Sequence, residues 1–193
     1  MVEMTVGGHV SKAVGIAAIG LVVAGCGDSG GGTAAPTTTA VSVAASPTSV
    51  DAEAKVWDPC SLPDSAIEAA GLKAGSKESG AAGVDFTGWK VCNWNDQGRK
   101  YGLAVMSSER SLAEVRQRTD YSEWNTLTIG SRAALEFRPV GAIHDQTCFV
   151  AVEVPAGTVV FKVQNRYSAV GALPPCSEAQ RVSGALAQYL PTA

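Results

Sequence analysis

Four cysteines between positions 60 and 176 restrict the fold of this chain more than any other feature. The sequence holds five in all, Cys26, Cys60, Cys92, Cys148 and Cys176. Cys26 stands apart at the end of an apolar run, which leaves an even set downstream. An even set in an exported domain reads as two disulfides. No pair among the four has the close spacing that structural zinc favours, and an oxidising compartment works against free thiolates, so no metal site is expected. Four cysteines allow three pairings. The stretches from Cys148 to Val154 and from Thr158 to Gln164, joined by Pro155-Ala156-Gly157, read as an antiparallel hairpin. Such a hairpin returns the end of its second strand, and the loop after it, towards Cys148, which pairs Cys148 with Cys176. Cys60 with Cys92 follows by elimination.

The run ending at Cys26 has its own logic. His9 and Lys12 precede an apolar segment from Ala13 to Ala24, shorter than the roughly 20 residues a membrane-spanning helix needs. It closes on small residues, as a secretory cleavage site does. Leu21-Val22-Val23-Ala24-Gly25-Cys26 resembles the bacterial lipoprotein signal. That resemblance implies removal of residues 1–25, lipid on the Cys26 thiol, and a chain held on the extracytoplasmic face of the cell membrane. Residues 26–56 are rich in Gly, Ala, Thr, Ser and Pro and hold no aromatic side chain. They cannot bury enough apolar surface to offset ordering and read as a flexible tether. Its reach is on the order of 30 Å. Within it, Gly27-Asp28-Ser29-Gly30-Gly31 spells the pentapeptide around a serine-protease nucleophile. A triad needs three residues on a rigid scaffold, which a tether does not offer.

Residues 57–193 then form one folded domain. Ser61 reads as the N-cap of a first helix, with Asp64 as a capping-box carboxylate, Leu62, Ala66, Ile67 and Ala70 on one face, and Gly71 at its end. Ser177 and Gln180 make a second capping box, opening a last helix with the stripe Ala179, Val182, Leu186 and Tyr189. Between them alternating segments predict strands: Trp89 to Trp94, Tyr101 to Met106, Trp124 to Ile129, Arg132 to Arg138, and the hairpin above. A short capped helix runs from Ser111 to about Thr119. In Arg132 to Arg138, alternation puts Ala133, Leu135 and Phe137 inward, the pattern of a sheet covered on one side. The class is therefore α+β: a mainly antiparallel sheet with flanking N- and C-terminal helices and two disulfides.

Charge narrows the function. Fifteen basic and 18 acidic residues give a net charge of −3, with no basic block, so nucleic acid is not an expected partner. The only histidine after the signal, His144 beside Asp145, reads as a loop residue, because no nucleophile motif accompanies it. No catalytic constellation is found, an enzyme is not expected, and no cofactor is implied. Arg116, Arg118 and Arg132 read as a solvated face, with anion binding as the alternative. Of four tryptophans, Trp57, Trp94 and Trp124 are the candidate ligand contacts, since a domain with two bridges needs fewer of them in its core.

The lipoprotein signal, polar tether, Pro59-Cys60 at the first helix, Cys92-Asn93-Trp94, a late strand cysteine and a Cys176-opened last helix together resemble the actinobacterial, mycobacterial-type lipoproteins of domain-of-unknown-function family 3558. The resemblance spans about Trp57 to Leu190. It implies an exported, lipid-anchored α+β domain and carries no activity onto any residue. Two functions are expected on this basis. One is a surface module binding an apolar or amphiphilic envelope molecule, be it lipid, sugar or peptide. The other is an accessory lipoprotein docking another envelope protein.

Overall fold

In the computed structural model, which describes residues 56–81, 87–141, 143, 146–169 and 171–192, alternation has built seven strands: β1 (Leu72–Ser79), β2 (Lys90–Asp96), β3 (Tyr101–Ser108), β4 (Tyr121–Ile129), β5 (Arg132–Pro139), β6 (Thr147–Val154) and β7 (Gly157–Asn165). They make one sheet in the order β1-β2-β3-β7-β6-β5-β4. Every neighbouring pair is antiparallel. Two meanders, β1 to β3 and β4 to β7, thus lie side by side and join where β3 meets β7. Helices are few: α1 (Asp64–Ala69), α2 (Leu112–Arg116) and α3 (Pro175–Leu186). Cys26, His144 and Asp145 fall outside the described residues.

Side-chain alternation sorts the sheet into two faces. On the first, Cys92 and Trp94 of β2, Leu103 and Val105 of β3, Val159, Phe161 and Val163 of β7, and Val150 and Val152 of β6 are buried in one cluster with Ile67 of α1 and Ala179, Val182 and Leu186 of α3. Full burial of such aliphatic side chains contributes roughly 1.5–3 kcal/mol each. Both disulfides belong to this face. Cys60–Cys92 ties the 3-10 turn (Pro59–Ser61) before α1 to β2, and Cys148–Cys176 ties β6 to the first turn of α3. The second face carries a smaller cluster, Leu135, Phe137, Phe149, Ala151 and Val160, roofed at the β4–β5–β6 side by Val115 of α2.

Several local expectations are corrected. Alpha-helix α1 begins at Asp64, with Pro63 at its N-cap. Ser61 instead donates its hydroxyl to Asp58 O, while the Asp58 carboxylate caps the 3-10 turn by accepting from Cys60 N. Ser177 is not a cap either: α3 starts two residues earlier, at Pro175, whose missing N–H suits a helix start. Gln180 is then free to donate to Glu136 on β5. Tyr189 lies in a 3-10 extension (Ala187–Tyr189) of the last helix and is partly exposed. The sheet is covered on both sides at β5, where Ala134 is buried on the first face, Leu135 and Phe137 on the second, and Ala133 is exposed. A small residue fits under a helix on one side while the larger ones fill the other. Ser111 does cap its helix, in a full capping box with Glu114, although the helix is only five residues long.

Strand β1 has no counterpart in the sequence reading. Lys73, Gly75, Ser76, Lys77, Glu78 and Ser79 give it almost no apolar residue; it is an edge strand whose backbone pairs with β2. Both edges are blunted against further pairing. The β1 register shifts between Lys73 and Glu78. On β4 it shifts between Ser122 and Asn125, around Glu123 with φ of 54°.

Candidate functional site

Cross-strand register places residues of the second face in rows, because opposed residues share a face. One row reads Val91, Met106, Val160, Ala151 and Leu135. It is wholly apolar. The next reads Glu78, Asn93, Ala104, Lys162, Phe149 and Phe137. The third reads Lys73, Asn95, Gly102, Gln164 and Thr147. The face thus grades from apolar to polar along the strands. It also grades across them, from the aromatic half under α2 to a half without a helical roof.

On that unroofed half a trough of about 190 Å³ is lined by Ser76, Glu78, Asn93, Asn95, Gly102, Ala104, Lys162 and Gln164. Its floor is low because β3 supplies only Gly102 and Ala104 there. Gly102 sits in continuous register between Asn95 and Gln164, and a Cβ added to it would meet only Trp94 O, at 3.9 Å. Neither a bulge nor crowding calls for glycine at this position, while glycine in a strand weakens it.

The polar groups around the trough are partly committed. Asn93 Nδ2 donates to the carbonyls of Glu78 and Gly80, which leaves its Oδ1 as an acceptor. Asn95 Oδ1 accepts from Arg166 at 2.7 Å, which brings a guanidinium to the rim. Lys162 differs from these. Its side chain is half-buried, its ammonium lies 6.0 Å from the Phe149 ring centroid, and it has no carboxylate in ion-pairing reach among the described residues. Burial alone pulls its pKa below the ordinary lysine value.

In the aromatic half Tyr121 packs edge to face on a stacked Phe137–Phe149 pair. Tyr121 meets Phe137 and Phe149 at centroid distances of 4.8 and 5.1 Å, and Trp124 lies 4.5 Å from Phe137. Arg116 covers the Trp124 ring. Arg118 covers Tyr121 while holding Asp120 in a two-point ion pair, which keeps the Asp120 carboxyl below its usual range. Arg132 is not part of this face; it donates to the carbonyls of Glu153 and Leu190.

The three candidate tryptophans are not brought together. Trp94 is among the residues lining the trough, but its side chain is in the core of the first face and the residue is only 2% exposed, so its ring cannot rim the site. Its even spacing from Cys92 on β2 turns it inward together with the bridge. Trp57 packs against that same cluster. Only Trp124 belongs to the second face. The trough residues carry no motif, and they become visible only through register; the small residues facing amides and a lysine were the one available signal. Glu136 lies near the sulfurs of Cys148 and Cys176, but those are joined to each other, so the trio offers no thiolate to a metal.

A family model described as "Protein of unknown function (DUF3558)" matches residues 21–189. No curated protein and no solved structure matches the chain.

Proposed function

The chain belongs to the DUF3558 family of proteins of unknown function, and from its geometry we propose that this member is an exported, lipid-anchored binding module. Anchoring is carried by the lipoprotein-type signal ending at Cys26, with two disulfides of the kind that persist in oxidising compartments. An actinobacterial lipoprotein on the extracytoplasmic face of the cell membrane is the corresponding address. The ligand is an amphiphilic envelope molecule lying on the second face, with its polar part in the trough and its apolar part towards Met106, Val160 and the aromatic half. The observation that carries this is the unroofed trough over Gly102, bordered by a half-buried lysine with no carboxylate in ion-pairing reach among the described residues.

The orientation supports the same reading. Val56, where the tether joins, shares a shallow depression with Gly88, Glu109 and Arg110, at the Ser108 end of β3. Gly102 lies six residues back along that strand, about 20 Å away. The polar row therefore lies towards the other end of β3 from Val56.

Native mass spectrometry of the lipidated chain from an actinobacterial host is the test. A co-purifying small molecule is expected, and Gly102→Phe, which fills the trough, is expected to lose it. Recovery of the same molecule with Gly102→Phe would move the site elsewhere. A second reading, docking of another envelope protein, is favoured by Val140, Ile143, Tyr167 and Leu173, exposed at 60%, 62%, 82% and 58% on the two loops that leave the end of the sheet opposite Val56. A co-purifying protein without a small molecule would put that reading first.

A further inference from the structure

We infer that the trough holds one acidic sugar ring, its carboxylate on the Lys162 ammonium and its hydroxyls on Asn93, Asn95 and Gln164. This rests on the reading of the second face as the ligand-binding face and names what the polar part of the ligand is.

Charge is the first argument. Lys162 is set into the sheet face between Ala104 and Phe149 in its row, and no carboxylate of the described chain answers it. A half-buried ammonium without a counter-charge is costly, and an anionic ligand would remove that cost. Lys73, opposite Asn95, and Arg166, bound to Asn95, add positive charge at the rim. Glu78 is the one acid lining the trough. Its backbone stands three strand spacings from that of Lys162, about 14 Å away, and burial is the only influence on the ammonium, with none from Glu78.

The kind of anion follows from the donors. A phosphate is usually met by a guanidinium fork, a helix N-terminus or several donors together. Lys162 is the one cation among the residues lining the trough, with Lys73 and the Arg166 fork set outside that lining, which suits a carboxylate. The remaining contacts point to hydroxyls. Gln164 offers both a donor and an acceptor, Asn93 retains its Oδ1 acceptor, and Asn95 retains its Nδ2 donor because Arg166 takes its oxygen. A hydroxyl both donates and accepts, so a ring carrying several is matched at each position.

Shape supplies the third argument. Ala104 and side-chain-free Gly102 give a flat floor on which a ring can lie. A volume of about 190 Å³ is below the roughly 300–1,000 Å³ of pockets that enclose a whole drug-sized ligand. One ring fits there, and the rest of the molecule lies outside, along the graded face.

Isothermal titration calorimetry on the full lipidated chain in detergent decides the matter, with a glucuronic-acid-terminated disaccharide and its neutral glucose-terminated counterpart as probes. The acidic probe should bind at least about tenfold more tightly, which is about 1.4 kcal/mol. Lys162→Gln should abolish that preference, and Lys162→Arg should keep it. A matched thermal melt confirms that Lys162→Gln is folded. Equal binding of the two probes by the native chain would overturn the sugar-acid assignment and leave the second face as a binding face. If neither probe binds while a co-purifying molecule is still displaced by Gly102→Phe, the acidic ring is likewise wrong and the face stands. If neither probe binds and nothing co-purifies, both readings fall.

Discussion

The two faces of the sheet are built on opposite terms. The first is closed: two helices lie on it, both disulfides pin those helices to strands, and its charges are matched within the protein. Glu178, only 5% exposed, accepts two hydrogen bonds from Arg181 on one carboxylate oxygen, Oε2, at 3.0 and 2.7 Å, and Arg181 also donates to Ala70 O and Tyr101 Oη. That clasp joins α3, the end of α1 and β3. On the second face a five-residue helix covers one half, and the other keeps a mid-sheet glycine and an ammonium with no carboxylate partner among the described residues. Both of those choices cost stability. Concentrating the stabilising contacts on one face leaves the other able to carry residues chosen for something else.

The largest test of this division is removal of a bridge. Closing loops of 28 and 32 residues, each disulfide contributes roughly 3–4 kcal/mol by chain entropy. Cys148→Ala/Cys176→Ala should therefore lower stability by that order, with α3 loosening first because its bridge sits in its first turn. Hydrogen exchange should show faster amides in α3 and unchanged protection in β3 around Gly102. Equal loosening of both faces would mean that the division of labour is not real.

Breaking the clasp comes next. Arg181→Ala leaves Glu178 buried and unpaired, a loss of about 1–3 kcal/mol once the partial exposure of Arg181 is allowed for. A spectroscopic marker goes with it. Burial pushes the Tyr101 phenol up to about 12, against an opposing pull from Arg181. A phenol with a raised folded-state pKa stabilises the fold fully below its unfolded value near 10 and loses that contribution as pH rises through about 12. Tyrosinate absorbance should place one tyrosine there in the native chain and higher still in Arg181→Ala. Titration of Tyr101 near 10 would show that the clasp does not seal the first face.

These contrasts were unevenly visible in the sequence. Cysteine parity and the Pro155-Ala156-Gly157 hairpin sufficed for both bridges, since hairpin geometry is local and one pairing then forces the other. Gly157 is fixed for a further reason: a Cβ there would collide with Ser108 O and the Glu109 backbone. Six of the seven strands announced themselves by alternation. Strand β1 did not, because an edge strand with few packing partners draws its stability from main-chain hydrogen bonds, which leave no side-chain pattern. The helix starts were misplaced by two or three residues for a related reason: Pro63 and Pro175 start helices through backbone shape, and Ser61 and Ser177 then have no capping work. The trough was invisible because its residues come from β1, β2, β3 and β7, far apart in the chain. Register alone assembles Asn93, Ala104 and Lys162 into a row.

Sharper than the first two tests, though smaller in energy, is Gly102→Val. The position is extended, in register and open, so a β-branched residue should fit and raise stability by about 0.5–1 kcal/mol. Chemical denaturation should show a higher midpoint with an unchanged slope. A stabilised variant that no longer retains ligand would mean that glycine is kept there for the trough. A destabilised one would mean that the glycine serves the fold, and the contrast between the faces would weaken.

The smallest effect concerns Lys162 and has a definite sign. Its pKa is depressed by burial alone, so at neutral pH the ammonium is charged in folded and unfolded chains alike and the full cost of burying it is present. As pH rises towards 10.5, the folded chain releases its proton before the unfolded chain does. The unfolded state then binds more protons, and stability rises across that window. Lys162→Met keeps the aliphatic stem against Phe149 and Ala104 and removes the charge. Its melting temperature at neutral pH should equal or exceed that of the native chain, and the gap should narrow as pH approaches 10.5. Taking the difference between the two proteins cancels the opposite alkaline trend from Tyr101, which they share. A lower melting temperature for Lys162→Met at neutral pH would mean that the ammonium is already satisfied within the fold. The second face would then be as closed as the first, with no unmet charge for a ligand to answer.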